Sequence, residues 1–211
     1  MDIEAIVARV VEKIVEKQDD GGIPVGVSNR HVHLSKEDSD ILFGKDYEFK
    51  KLKDLSQPGQ FACNECITLV GPKGVLEKVR ILGPVRGQTQ IELLQTDCRK
   101  LGIKAVLKES GKLEGTPGIL ISGPMGSVHT ANGALVAKRH IHMKPEDAER
   151  HGLKDKDLVD LECGGERGGI LKNVLIRVSS SYKLDCHLDV EEASAMGLKD
   201  GDHVHIMNNR R

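Results

Sequence analysis

The spacing of apolar residues divides the chain into one helical stripe and a longer part built from short apolar runs. Residues 2 to 17 place apolar side chains three and four positions apart, which predicts an amphipathic helix with Glu and Lys on its other face. Residues 18 to 22 are typical of a linker. After Pro24 the apolar runs become short and are separated by glycine turns, which is typical of strands.

Six of these runs predict strands, near residues 25–27, 66–70, 75–82, 118–121, 157–161 and 173–178. Short helices fit between them, and Ser35–Asp38 has the form of a capping box before the apolar pair Ile41 and Leu42. Many short strands with small helices favour a mainly β fold, in compact barrels or sandwiches with helical caps.

The chain also contains an internal duplication. The segment Arg30–Leu34 (RHVHL) recurs as Arg139–Met143 (RHIHM), an offset of 140 − 31 = 109 residues, and Glu-Asp follows four residues after the second histidine in each copy. Further along, Leu76–Val79 aligns with Leu171–Val174 at an offset of 95. The first half therefore carries about 109 − 95 = 14 extra residues, which we expect between residues 44 and 60.

The duplication indicates where metal ligands lie. Alternate residues of a strand point to the same face, so the two histidines of each repeated motif can reach one ion. A catalytic zinc needs a third protein ligand, and the offset of 95 places Glu92 opposite His187. The predicted sets are His31, His33 and Glu92 in the first half, and His140, His142 and His187 in the second. Zinc suits these donors best, although cobalt, nickel or iron would also fit.

Three cations of the first half have no counterpart in the second half. Arg86, Lys73 and Arg80 align with Ser181, Gly168 and Leu175. Since the second half folds without these charges, we interpret them as contacts for an anionic substrate, with arginine favoured for phosphate. For Lys73, a solvated surface cation is an equal alternative. His129, His151, His203 and His205 lack such matched flanks, and we interpret them as surface residues.

Composition excludes several other functions. Lys and Arg number 31 against 32 Asp and Glu, and only five residues are Phe or Tyr with no Trp, so the chain lacks the basic groove and aromatic platforms of a single-strand nucleic-acid binder. No apolar run approaches the ~20 residues that span a bilayer, and the chain opens without a secretory signal, so we expect a cytoplasmic protein. The five cysteines, including the Cys63/Cys66 pair, are expected to be free thiols.

Three segments resemble one known family. Val27–Leu34 and Ala137–Met143 are similar to the two signature stretches of the phosphate propanoyltransferase family, the PduL-like phosphotransacylases found with bacterial microcompartments, and Leu55–Gln60 resembles the family's active-site lid. The resemblance extends from about Ile23 to near the C-terminus. It implies interconversion of acyl-CoA (propanoyl- or acetyl-CoA) plus phosphate with acyl phosphate plus CoA, as in propanediol degradation.

The resemblance also implies a fold and site residues. It implies two small antiparallel β-barrels capped by short helices, with strand exchange and with two zinc ions between the barrels on the histidine and glutamate sets given above. Arg86 would be the catalytic, phosphate-binding residue. CoA contacts would fall at Val27, Ser28, Asn29, Lys73, Arg80 and Ser194, where Ser194 replaces an asparagine expected in the family.

The implied division has three parts: residues 1–22 as an N-terminal helix and linker, residues 23–29 with 138–211 as barrel 1, and residues 30–137 as barrel 2 with a lid insertion near 44–64. The N-terminal helix has two interpretations. It either docks on the core or on a partner subunit of a homo-oligomer, or it is a targeting tag that binds shell or core proteins of a microcompartment.

Two other functions use the same residues. A dinuclear metallohydrolase would activate water with these ligands and cleave acyl phosphates or thioesters. A non-catalytic module would bind CoA or structural zinc without turnover.

Overall fold

The computed structural model describes residues 22–207, and the helix predicted for residues 2–17 lies outside them. Fifteen strands and four short helices occur within this range. The strands are β1 (Ile23–Ser28), β2 (His31–His33), β3 (Lys51–Asp54), β4 (Phe61–Val70), β5 (Val75–Gly83), β6 (Gln90–Glu92), β7 (Leu107–Lys108), β8 (Leu120–Ser122), β9 (Ser127–His129), β10 (Ala134–Ala137), β11 (His140–Met143), β12 (Leu158–Cys163), β13 (Gly169–Val178), β14 (Asp185–Asp189) and β15 (His203–Ile206). The helices are α1 (Lys36–Phe43), α2 (Gln95–Leu101), α3 (Pro145–His151) and α4 (Val190–Ala195). All six strands predicted from the sequence overlap one of these strands. No helix between residues 22 and 207 is both long enough and apolar enough to cross a bilayer.

The strands form two sheets with separate cores. Six strands close a barrel in the order β1-β14-β11-β13-β12-β15, and nine form a sheet in the order β7-β10-β6-β2-β5-β4-β8-β9 with β3 paired to β4. Apolar residues at alternate strand positions fill each interior, including Ile141 and Leu161 in the barrel and Val32 and Ile91 in the nine-stranded sheet. The predicted mainly β fold of barrels capped by short helices is confirmed. Parallel strand pairs also occur in both sheets, where a strand enters from the other half and where each His-x-His strand pairs within its own half, β2 with β5 and β11 with β13.

The two halves exchange their first strands. β1 precedes the first His-x-His motif, yet it pairs in parallel with β14 of the second half, with Val25 opposite Cys186. β10 precedes the second motif and pairs in parallel with β6 of the first half, with Ala134 opposite Ile91. These are the same pairing in the two halves, since 25 + 109 = 134 and 91 + 95 = 186. Neither sheet is therefore complete without a strand from the other half.

The repeated Glu-Asp pair begins a helix in each half. Ser35 is the N-cap of α1, and its hydroxyl accepts a hydrogen bond from Asp38 N at 3.1 Å. The Ser35 N–H donates to Thr89 Oγ1 at 2.8 Å, so Thr89 and not Asp38 supplies the second half of the predicted capping box. Acidic residues in the first turn of both α1 and α3 complement the helix dipole.

The extra residues of the first half form a segment that reaches the second half. Leu69 pairs with Leu76 and Leu161 with Leu171, so the offset at β4 and β12 is 161 − 69 = 92. The first half thus has 109 − 92 = 17 additional residues before Leu69 of β4, and the second has 95 − 92 = 3 in its hairpin, a net 14 as expected. The additional segment contains β3 and the nearly fully buried Gln57, whose side chain donates to Lys183 O at 2.9 Å and accepts from Lys183 N at 3.2 Å.

Glu109 joins the two halves by ion pairs. Its carboxylate lies 2.9 Å from Lys112 Nζ and also contacts Lys156 Nζ and, at 3.8 Å, Arg177 Nε. Burial alone would raise the pKa of Glu109, but Lys156 and Lys112 outweigh it and hold the pKa at about 2.

We expect Glu109→Gln to lower the free energy of unfolding by about 1 kcal/mol at neutral pH, because a partly buried carboxylate loses its cations. The folded pKa lies below the ordinary value of 4.5, so this stabilisation is complete above pH 4.5 and is lost as the pH falls toward 2. Urea unfolding of both proteins from neutral pH down to about pH 3 measures the difference. The exposed Glu114→Gln is the control, and an equal loss there, or a difference that persists in acid, would contradict the assignment.

Candidate active site at the junction of the two halves

Strand register brings each predicted ligand set together. In the first half His31 and His33 lie on β2, and antiparallel pairing places Glu92 of β6 opposite His31. In the second half His187 of β14 lies opposite His140 of β11 in the same way. Within each set, one ligand atom per residue lies within 4.8 Å of the others. We call His31, His33 and Glu92 the first triad, and His140, His142 and His187 the second triad.

The first triad is a coupled, charged group. His31 Nδ1 donates to Asn29 O at 2.8 Å, which leaves Nε2 directed toward Glu92 Oε2 at 3.5 Å. Burial would lower the pKa of His31, but the Glu92 carboxylate outweighs it and raises the pKa. Burial would likewise raise the pKa of Glu92, but His31 holds it well below its usual range. Burial, with the charges of His31 and Arg86, lowers the pKa of His33 to about 3.

The second triad consists of imidazoles alone. His140 Nδ1 donates to Lys138 O at 2.8 Å, the counterpart of the Asn29 contact, and His140 Nε2 lies 3.0 Å from His142 Nε2. Burial and the neighbouring histidines lower the pKa of His140 to about 4 and that of His142 to about 2. Both rings are therefore neutral at physiological pH, which is the form that coordinates metals.

The residues present fit a metal ion in each triad. The Nδ1 atoms of His33 and His142 are buried and have no hydrogen-bond partner within residues 22–207. Buried unpaired nitrogens are unfavourable, and coordination through these Nδ1 atoms would relieve that penalty. His31 and His140 are already fixed by backbone carbonyls, the usual orienting contact of a ligating histidine.

A matched neighbour orients the third residue of each triad. Gln90 and Asp185 lie two residues before Glu92 and His187 on the same strand face, and they correspond to each other because 185 − 90 = 95. Gln90 Nε2 donates to Glu92 Oε1 at 2.6 Å, and His187 Nε2 donates to Asp185 Oδ2 at 2.9 Å. A Cβ at Gly26 would lie 2.9 Å from Asp185 Oδ2, so glycine at this position leaves room for the carboxylate.

The arginine of each repeated motif has a structural contact. Arg30 Nε donates to Asp97 Oδ2 at 2.8 Å, and Arg139 Nη1 lies 3.3 Å from Glu192 Oε1. Asp97 and Glu192 lie in the first turns of α2 and α4, which follow the strands that carry Glu92 and His187. Each arginine thus connects the His-x-His strand to the helix that follows β6 or β14.

Both triads open into one cavity of about 900 Å³. Four of the six residues implied for CoA binding line it, namely Val27, Ser28, Asn29 and Arg80. The Arg80 guanidinium is also engaged by its own sheet, donating to Cys63 O at 3.0 Å and to Asn64 O at 2.8 Å. Lys73 and Ser194 are not part of the lining: the Lys73 side chain packs beside Gly102, and Ser194 is exposed on α4.

Arg86 reaches the cavity from the turn after β5. Its backbone N–H donates to Leu34 O at 2.8 Å, which fixes the turn beside the first His-x-His strand. Gly83 precedes this turn, and any Cβ there would lie 2.4 Å from the Phe61 ring. Burial lowers the pKa of Arg86, and the Glu92 carboxylate partly offsets this effect.

A further arginine that lines the cavity, Arg177, was not predicted from the sequence. Arg177 lies on β13 opposite His142 and lines the cavity with Arg86. At the offset of 95 its counterpart is Leu82, so it is an unmatched cation of the second half. Comparing cations from the second half to the first, as well as the reverse, would have found it.

The fold and site define a duplicated β protein in which the two triads share a cavity with arginines from both halves. The family model of phosphate propanoyltransferase matches residues 24–199. Curated relatives named phosphate propanoyltransferase include proteins from Thermotoga maritima (51% identical over 200 residues, 94% of each chain), Rhodopseudomonas palustris (53% over 184 residues, 87% of this chain and 81% of the relative) and Clostridioides difficile (48% over 206 residues, 97% and 99%). The chain belongs to the phosphate propanoyltransferase family and is an acyltransferase of the phosphotransacylase type.

The two matched arginine pairs allow an internal comparison. The Asp97 side chain is 4% exposed, whereas that of Glu192 is 26% exposed. We expect Arg30→Gln to lower the free energy of unfolding by about 2 kcal/mol, because it leaves a buried carboxylate unpaired. Arg139→Gln should lower it by less than about 1 kcal/mol. Urea unfolding of both variants measures these free energies. Equal losses would show that burial of the carboxylate does not determine how much each ion pair stabilises the fold.

Proposed function

We propose that this enzyme interconverts a short acyl-CoA, propanoyl- or acetyl-CoA, and phosphate with acyl phosphate and free CoA. The names of the relatives supply the reaction class. The observation that carries the proposal is the single cavity into which both triads, Arg86 and the Val27–Asn29 segment open. Such a cavity brings a bulky thioester and a small anion to the same place, as direct transfer requires.

We propose zinc as the metal, with one ion held by each triad. A bound divalent ion supplies Lewis-acid chemistry, which lowers the pKa of a coordinated thiol and stabilises charge on phosphoryl or carbonyl oxygens. The donors support this choice, since imidazole and carboxylate ligands in sets of three are typical of catalytic zinc sites.

The protein's own residues bind and orient the two substrates. Arg86 binds the phosphate oxygens through its two-pronged guanidinium and directs one of them toward the thioester carbonyl. Val27, Ser28, Asn29 and Arg80, which line the cavity, bind CoA, with Lys73 and Ser194 as further contacts outside the lining. In the forward reaction the phosphate oxygen forms the new C–O bond, the C–S bond breaks, and CoA leaves as a thiolate.

Direct transfer needs no acyl-enzyme, and the cysteines support this. No cysteine is among the residues that line the cavity. Burial raises the pKa of Cys63 and of Cys98 to about 11, and raises that of Cys186 further, so these thiols stay protonated.

The remaining expectations stay proposals. We retain the division into residues 23–29 with 138–211 and residues 30–137, and the lid near 44–64, for which the Gln57 contacts across the junction give support. We also retain a cytoplasmic location, self-association, and a microcompartment-targeting role for the N-terminal helix.

The reaction is tested by following free CoA released from propanoyl-CoA. We expect release that depends on phosphate and yields propanoyl phosphate in equal amount. Release at the same rate without phosphate would instead identify a hydrolase, and no release after metal loading would identify a binding module.

The paired metal sites are tested by metal content. We expect His140→Ala combined with His142→Ala to reduce bound metal from about two ions to about one per chain, because the first triad is intact. Elemental analysis of the purified protein measures this, with the exposed His129→Ala as control. Loss of both ions, or of neither, would contradict independent sites.

The role of Arg86 is tested by Arg86→Ala and Arg86→Lys. We expect the alanine variant to raise the phosphate KM or lower turnover by about 10- to 100-fold, since a charge-assisted contact contributes about 1.5–3 kcal/mol. Lysine should restore only part of the loss, because a point charge replaces a two-pronged donor. Steady-state kinetics at full metal occupancy provide the measurement. An unchanged phosphate dependence would remove Arg86 from the site.

A further inference from the structure

We infer that Arg177 is a second phosphate-binding residue, so that the phosphate is held between two guanidinium groups, one from each half of the molecule. The inference rests on the proposed phosphotransacylase function of the same cavity and assigns a residue that the sequence motifs do not contain.

Arg177 is placed on the ligand-bearing side of the barrel. It lies opposite His142 in the parallel pairing of β13 and β11, and it lines the cavity that both triads share. Its counterpart Leu82 lines the same cavity from the first half. The barrel framework therefore accepts an apolar residue at this position, and a cation there needs another explanation.

The Arg177 guanidinium contacts a carboxylate at one edge and an aromatic ring at one face. Nε lies 3.8 Å from Glu109 Oε1, and Cζ lies 5.7 Å from the centre of the Tyr182 ring. Tyr182 in turn packs against His142, with ring centres 4.2 Å apart. These contacts fix the side chain beside the second triad.

Within residues 22–207, the terminal amino groups of Arg177 have no hydrogen-bond partner. No hydrogen-bond acceptor for either Nη atom occurs within residues 22–207, although the side chain is only 19% exposed. A partly buried arginine with an unused two-pronged donor group is suited to an oxyanion such as phosphate.

The positive charge of the cavity also favours an anion between the arginines. Burial is the main reason why the pKa of Arg86 lies below its ordinary value, and the charge of Arg177 adds to that effect. The two guanidinium groups therefore repel each other across the cavity. A phosphate dianion between them would replace this repulsion by two attractive contacts.

The competing explanation is that Arg177 only braces the junction through Glu109. The metal-loaded full-length protein distinguishes the two, using Arg177→Gln, Arg177→Lys and the exposed control Arg150→Gln. Calorimetric titration with inorganic phosphate, without CoA, measures binding independently of turnover. Steady-state KM values for phosphate and CoA measure the effect during the reaction.

We expect Arg177→Gln to weaken phosphate binding at least about tenfold and to leave the CoA KM within about twofold. Arg177→Lys should recover part of the affinity, and Arg150→Gln should match the wild type. Unchanged phosphate affinity in a folded Arg177→Gln or Arg177→Lys protein, with only a loss of stability like that of Glu109→Gln, would overturn the inference.

The titration also separates this inference from the proposed function. Phosphate binding that depends on Arg177 in a protein without transacylase activity would remove the proposed function and keep the Arg177 assignment. Full transacylase activity, with a phosphate affinity that neither Arg177 variant changes, would remove the Arg177 assignment and keep the proposed function.

Discussion

The site depends on one constraint. The strands that carry Glu92 and His187, β6 and β14, each pair with a strand from the other half. β14 carries His187 between β11 of its own half and β1 of the other, with Gly26 opposite His187. β6 carries Glu92 between β2 and β10, with Leu135 opposite Glu92. Moving the halves apart would break backbone hydrogen bonds beside both triads, so the ligand groups and the cavity between them keep one geometry.

The junction shows approximate two-fold symmetry in its framework and not in its chemistry. Thr96 N donates to Glu191 Oε1 at 3.2 Å, and these are equivalent positions of the two halves, so this contact lies at the symmetry axis. The Arg30 and Arg139 ion pairs repeat around the axis as well. The third ligands differ, and Arg86 and Arg177 hold positions that the other half fills with serine and leucine. The framework is thus repeated in both halves, whereas charged residues that line the cavity differ between them.

Electrostatics reinforce this division. The first triad pairs a carboxylate with a histidine of raised pKa, whereas burial lowers the pKa of His140 and His142 in the second triad. One charged triad and one triad made only of imidazoles therefore line the same cavity.

The sequence by itself determined which residues form the two triads, and it determined the mainly β architecture. A period of two places alternate residues on one face of a strand, and a duplicated motif with a constant offset aligns equivalent positions, so Glu92 and His187 could be identified without coordinates. The net size of the insertion followed from the same offsets, but its division into 17 and 3 residues needed the strand registers. Tertiary structure alone brought Gln57 to Lys183, Glu109 to Lys156, and Arg177 into the cavity with Arg86. These contacts join residues far apart in the chain, and they depend on which sheet each exchanged strand enters, a choice that no local pattern of residues records.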